Sequence, residues 1–296
     1  MQEGFEKYLK AGKIAAEIRE ASKELVKPGV KILDIAEAIE KMIYDKDAIP
    51  AFPINISIND IAAHYTPQKV DETTIKESDI TKIDIGICVD GYIGDTAYSV
   101  SFDKKNDKLI EASRAALDEA IKLCVPDALL SDVSAKIEET IKSFGFKPIS
   151  NLTGHGLDLY DLHAEPQVPN ISFKSSYRLK EDQVIAIEPF ATNGAGMIKD
   201  TENIFIYRLV QIKPTRNQEA RKIISFAEQR YGLPLAERWL MPIIGNNLFK
   251  TRLALRELRL QEIIYDYPVL KEVKGGMISQ AEHTIIVKDP PIVTTI

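Results

Sequence analysis

The chain has 296 residues, 45% of them apolar and 28% charged, with a net charge of −6. That is length enough for one large domain or two modest ones around a buried core. The acidic balance excludes the basic sheath of a nucleic-acid binder, and no run of about 18 apolar residues exists to cross a membrane. The first residues lack the apolar stretch of a signal peptide. Cys88 and Cys124 are too few and too far apart for a disulfide framework, so a reducing, cytoplasmic setting is expected.

Residues 3–27 carry Phe5, Leu9, Ile14, Ile18, Ala21 and Leu25 at helical spacing, and Pro28-Gly29 stops the pattern. A second helix follows Asp34, with Ile35, Ile39, Met42 and Ile43 facing inward. Ile83, Ile85, Ile87 and Val89 then alternate with Asp84, Gly86 and Cys88. Asp90-Gly91 is a two-residue turn, and a return strand runs from Tyr92 to about Phe102. Helices are predicted over 107–124 and 132–144. Pro28–Ile43 and Pro126–Ile141, aligned at an offset of 98, match at five of sixteen positions. Two amphipathic helices can match this well by chance, but a duplicated helix-plus-strand unit would fit a pseudo-symmetric α/β sandwich. Strand patterns return at 183–190, 202–213 and 277–288. Between the last two, residues 214–266 form a mostly helical block, with helices over 218–231 and 248–264, the only Trp (Trp239) and no His. The expected organisation is a catalytic domain of residues 1–213 and 267–296 interrupted by this helical insertion.

The hairpin places chemistry. With Asp90-Gly91 as the turn, Asp95 faces Gly86 and Asp84 faces Ala97, so the two aspartates share a face as diagonal neighbours roughly 7–8 Å apart. Like charges side by side repel unless a cation holds them; a solvated acid pair is the plain alternative. The chain has only four histidines: His64, His155, His163 and His283. His155 lies between Gly154 and Gly156, whose missing side chains would let a metal or substrate approach. Glu188 ends an apolar strand and Glu282 interrupts another, surroundings in which an unpaired carboxylate is costly. A salt bridge or a bound cation would each resolve that cost.

Taken in order, Asp84, Asp95, His155, Glu188 and Glu282 resemble the five metal ligands of the pita-bread metallohydrolases, which include methionine aminopeptidases and prolidases. The words Ile83-Asp84-Ile85-Gly86, Gly94-Asp95-Thr96-Ala97, Gly154-His155-Gly156, Ile187-Glu188-Pro189 and Glu282-His283-Thr284 carry the likeness. Ala51-Phe52-Pro53 followed by Ala62-Ala63-His64-Tyr65-Thr66-Pro67, His163 eight residues after His155, and the helical insertion are similar to the type II methionine aminopeptidases in their short, archaeal-style form.

The resemblance implies a pita-bread sandwich, its mixed or antiparallel sheet covered by helices, with a winged-helix-like insertion. It implies two divalent ions (Co, Mn, Fe or Zn), with Asp95 and Glu282 bridging, Asp84 on one ion, and His155 and Glu188 on the other. A metal-bridged hydroxide would attack the scissile carbonyl, Glu188 would move protons, His163 would donate to the oxyanion, and His64 would contact the substrate backbone. Phe52, Leu162 and Tyr267 would line the methionine pocket, although each could equally be core. His283, on the opposite side of its strand, is expected to be structural or to support the ligands, and Asp158 and Asp161 to be solvated loop acids. The substrate would be the N-terminus of a peptide or nascent protein, with a small second residue preferred, and the enzyme a monomer. Two rivals stand. A prolidase-like X-Pro hydrolase usually carries a domain ahead of the catalytic half, for which 84 residues leave too little chain. A non-catalytic binding protein on this fold would have lost ligands or site histidines.

Overall fold

A computed structural model describes residues 2–296. The expected hairpin forms from strands Thr81–Val89 and Tyr92–Val100. Asp90 and Gly91 turn it with φ of 51° and 91°, the positive values a tight antiparallel turn needs. Asp84 pairs with Ala97 and Gly86 with Asp95. On the other face Ile83, Ile85 and Ile87 are fully buried. They pack under helices α1 (Gln2–Ser22) and α2 (Ile32–Tyr44), which add Ile14, Ile18, Ile35 and Ile39 to the same apolar cluster.

The hairpin belongs to a larger antiparallel sheet, with Ile49–Pro50 and Asn55–Ile58 paired to the outer side of Thr81–Val89. Across it, in spatial order, lie Thr81–Val89, Tyr92–Val100, Glu282–Ile286, Val184–Ile187, Thr153–Asp158 and Asp161–Pro169. Helices α3 (Asp107–Ile121) and α4 (Leu130–Ser143) cover the far half, closing a second core over Ile185, Ile187 and Ile285. Two helices therefore back each half of the sheet, as a pseudo-symmetric sandwich requires.

The offset of 98 has a backbone counterpart. Gly29 and Asp127 both take positive φ, at 86° and 64°. The Gly29 amide donates to Ile75 O at 2.8 Å and that of Asp127 to Leu179 O at 2.9 Å. The Ile32 and Leu130 amides donate to Thr73 O and Tyr177 O, each at 3.0 Å. Lys31 and Leu129, the residues before α2 and α4, have nearly the same dihedrals and no side-chain cap. In both halves a main-chain bracket to an extended segment starts the helix in place of a capping side chain.

Some boundaries differ from expectation. Helix α1 stops at Ser22, not near residue 27. The Ser22 side chain is buried, donates to Arg19 O at 2.8 Å and meets the Tyr98 hydroxyl, and the next three residues turn. In the 214–266 block, α5 (Gln218–Glu228) starts on an Asn217 cap and α7 (Leu248–Leu260) on an Asn247 cap. Both end a few residues short of the predicted limits, where Tyr231 and Glu262 adopt positive φ. The strand Ile198–Leu209 begins earlier than its pattern suggested and pairs with Ile264–Glu272. Ile61–Ala63 and Leu235–Ala236 complete this second, four-stranded sheet. The helices of the block close their own apolar cluster around Ile223, Leu240, Leu255 and Leu258.

Polar contacts join these parts. Arg238 and Glu40 form a buried ion pair between the block and α2. Trp239 Nε1 donates to the other Glu40 oxygen at 2.9 Å, and Arg238 also reaches Thr66 Oγ1 and Pro67 O. Arg230 donates to Pro50 O at 2.7 Å and stacks on Trp239. Glu272 accepts the backbone N–H groups of Ala195, Gly196, Lys274 and Gly276. Burial alone would push its carboxyl up; the four donors outweigh it and hold it below the usual range.

Two outcomes test these contacts. Arg238→Met leaves Glu40 buried and unpaired and lowers unfolding stability by about 3–5 kcal/mol. Adding Glu40→Gln recovers much of the loss, because the amide is neutral and still accepts from Trp239; denaturant titration of the single and double variants reads both. Glu272→Gln costs about 2 kcal/mol or more at pH 7. A depressed carboxyl stabilises the fold above its unfolded pKa and ceases to as pH falls through the folded one. The gap between the Gln variant and the parent therefore closes below about pH 4, as melting curves across pH would show.

Candidate metal centre and peptide cleft

The sheet register decides what meets what. Asp84 pairs with Ala97, and Ala97 with Glu282, so the two acids lie on one line across three strands. Asp95 pairs with Gly86 on that same face. His155 pairs with Ala186, two residues before Glu188, and so joins the face from a further strand. Residues directly opposite in a ladder point the same way. Five side chains thus converge from five neighbouring strands or their ends. Atoms of Asp95, His155 and Glu282 come within 4.8 Å of one another. His155 Nε2 lies 3.9 Å from Asp95 Oδ2 and 3.8 Å from Glu188 Oε1.

The glycines beside His155 work differently from expectation. A Cβ on Gly154 would strike Ala186 O at 2.3 Å, and one on Gly156 would strike Glu165 O at 2.2 Å. They admit the neighbouring strands to either side of His155; they do not open space for a metal or a ligand.

The electrostatics fit a cation. Among the described residues, no lysine or arginine pairs with Asp84, Asp95, Glu188 or Glu282, and one buried oxygen on each of Asp84 and Asp95 has no hydrogen-bond partner. Burial pushes Asp84 up to about 7 against a weak hydrogen bond from Gln280. Burial, then the neighbouring acids, raises Asp95, Glu188 and Glu282 well above the carboxylate range. Burial lowers His155 to about 4, so its imidazole is neutral at pH 7. Its Nδ1 faces Gly156 O at 3.2 Å and must donate there, which leaves the Nε2 lone pair facing the acids. Oxygen-rich donors with one neutral imidazole and stranded carboxylate oxygens fit divalent metal.

Above the acids lies a cavity of about 230 Å³, lined by the five residues just described together with His64, His163, Phe52, Leu162 and Tyr267. Every sequence-predicted site residue therefore borders one space. His64 sits just past Ile61–Ala63 with φ of 62°; its Nδ1 donates to Pro268 O at 3.1 Å, so the neutral ring offers Nε2 as an acceptor. The His163 ring stands 4.8 Å from that of His155 and 6.1 Å from that of Tyr267. His283 points away, as expected, against Arg19 and Thr295. Asp158 and Asp161 are exposed; Asp161 caps the His163 amide. Sequence reasoning missed Gln280, which donates to both Asp84 and Glu282, and Thr284, which exchanges hydrogen bonds with the Asp95 backbone. Thr284 was visible as a same-side neighbour of Glu282 on an alternating strand. Asn55 and Ile206, also on the cavity wall, had no local signal.

The profile of metallopeptidase family M24 matches residues 6–214, and the chain belongs to that family. A methionine aminopeptidase of Pyrococcus abyssi (strain GE5 / Orsay) is 46% identical over 293 residues, covering 98% of this chain and 99% of the relative. One of Thermococcus onnurineus (strain NA1) is 45% identical with the same coverage. Within M24, therefore, the chain is one of the methionine aminopeptidases, and the prolidase alternative is not favoured. The crystal structure of methionine aminopeptidase from Thermotoga maritima superposes with a TM-score of 0.73 at 23% identity, over 100% of this chain and 97% of that one, and shares its pita-bread fold.

Gly86, between the two aspartates, tests the cavity wall. A Cβ there would lie 2.2 Å from the Phe52 ring. Gly86→Ala should cost about 1–3 kcal/mol by overpacking. On a Phe52→Ala background it should cost far less, and a thermal-melt double-mutant cycle measures that coupling.

Proposed function

We propose that this enzyme removes the initiator methionine from peptides and nascent proteins using two divalent ions held by Asp84, Asp95, His155, Glu188 and Glu282. The observation that carries the reading is the convergence of these five side chains, with stranded carboxylate oxygens, under a cavity also lined by Phe52, Leu162 and Tyr267. Asp84, Asp95 and Glu282, with His155 and Glu188 facing them, would hold the ions between them. When bound, the ions (Co, Mn, Fe or Zn) supply Lewis acidity and a water that ionises near neutral pH.

The chain's own groups do the rest. Glu188 takes a proton from the attacking water and returns it to the leaving amide nitrogen. His163, whose ring makes no hydrogen bond among the described residues, donates to the carbonyl oxygen as charge develops there. Nε2 of His64 accepts the N–H of the peptide backbone. Phe52, Leu162 and Tyr267 receive the unbranched thioether. The substrate's free amine lies toward Asp84, which restricts cleavage to a chain end, and the narrow space favours a small second residue. We place the enzyme in the cytoplasm as a monomer, with 214–266 as an insertion into the catalytic domain of 1–213 and 267–296. Among the described residues, no helix is long and apolar enough to cross a membrane.

The test strips metal with a chelator, restores Mn(II) or Co(II), and follows methionine release from a Met-Ala peptide beside an X-Pro dipeptide. Release from Met-Ala should depend on metal and fall at least a thousandfold in His155→Ala. Metal should raise the melting temperature of the parent and raise it far less in that variant. Cleavage of X-Pro alone would overturn the reading.

A further inference from the structure

On the second sheet, Ile206 pairs with Tyr267, and both line the cavity. The ladder continues without a bulge through the next two pairs, so the neighbouring rung on that face is Arg208 with Tyr265. The Tyr265 and Tyr267 rings meet edge to face at 5.1 Å, and the Arg208 guanidinium lies 6.0 Å from the Tyr265 ring centre. A cation thus stands one rung from the cavity wall on the side where exposure rises, Tyr265 being 52% exposed against 8% for Tyr267. Its charge is felt inside: after burial, His155 and His64, Arg208 is a further cause of the lowered His163 pKa.

Arg208 has no hydrogen-bonding or charged partner among the described residues. Its Nε is buried without a hydrogen bond, and it makes no ion pair among the described residues. On the other side of the same strands, Arg259 is neutralised by Asp266 at 2.5 Å and Arg252 by Glu237 at 3.1 Å. The terminal nitrogens of Arg208 also make no hydrogen bond among the described residues and are not buried, so they stay open to an incoming acceptor. Its planar fork suits a carboxylate, which it can engage through two N–H groups at once.

We propose that Arg208 is a specificity-determining residue that binds a carboxylate of the peptide beyond the scissile bond. This rests on the aminopeptidase reading of the same site. The carboxylate is either an acidic side chain at the third or fourth position or the terminal carboxylate of a short peptide. Acidic peptides are therefore processed ahead of otherwise equal basic ones.

The experiment measures kcat/KM for Met-Ala-Asp-Gly and Met-Ala-Gly-Asp amides against their Lys counterparts, and for Met-Ala-Gly-Gly with a free or amidated end. The readout is the ratio within each protein, so a general loss of activity cancels. The parent should favour Asp, or the free end, by about 3- to 10-fold. Arg208→Gln should bring the ratio near one, Arg208→Glu should invert it, and Arg208→Lys should restore part of it. Dissociation constants of the same peptides for metal-stripped protein should show the same ordering without turnover. A parent ratio near one, or a ratio indifferent to both Gln and Glu, overturns the proposal. If no peptide releases methionine, the aminopeptidase reading fails by itself, and the binding ratios still decide the role of Arg208.

Discussion

Asp84, Asp95, Glu188 and Glu282 crowd one face of a sheet, largely out of water, with a single neutral imidazole and no lysine or arginine paired to them among the described residues. Burial raises all four, and neighbouring carboxylates raise Asp95, Glu188 and Glu282 further. No packing elsewhere cancels that repulsion; only a multivalent cation or shared protons can. The rest of the architecture can be understood as what it takes to hold such a cluster in place. Five strands must stay in register, because a slip of one residue would turn any of these side chains to the helix-covered face.

The two similarly built halves supply that rigidity. Each half backs its strands with two helices, and each starts its second helix from a main-chain bracket, at Gly29–Ile32 and again at Asp127–Leu130. The first half provides Asp84 and Asp95; His155, Glu188 and Glu282 come from strands of the second or their ends. The site thus spans the seam between halves. The second sheet adds the other wall, bringing His64 from the end of Ile61–Ala63 and Tyr267 from Ile264–Glu272.

Much of this was legible in the sequence. The alternation of Ile83, Ile85 and Ile87 with a two-residue turn at Asp90-Gly91 fixed the hairpin register, which in turn fixed the shared face of Asp84 and Asp95. The order of five short words, none informative alone, drew His155, Glu188 and Glu282 to the same place. What escaped was non-local. The spacing of 98 could not separate a duplication from two similar helices, because its evidence lies in main-chain hydrogen bonds that no residue type announces. The glycines beside His155 were attributed to ligand access, whereas the backbones that need the room belong to strands far along the chain. Helix α1 ended early because Ser22 found Tyr98, 76 residues away. Arg208 has no local signal in the sequence; only the ladder sets it beside Tyr265, with no ion pair among the described residues.

The buried pair of Arg238 with Glu40 has a kinetic side. Arg238 also grips Thr66 and Pro67, next to His64, so the helical block is fastened to the segment that forms one lip of the cleft. Swinging the block away would expose an unpaired charge on each side, a cost of several kcal/mol. The mouth is therefore of fixed width, and adaptation falls to the incoming chain. A client whose first residues are still extended can thread its amine to the floor. One whose first residues have already joined a helix or sheet must fray first, and its trimming rate then reports how often that end comes loose.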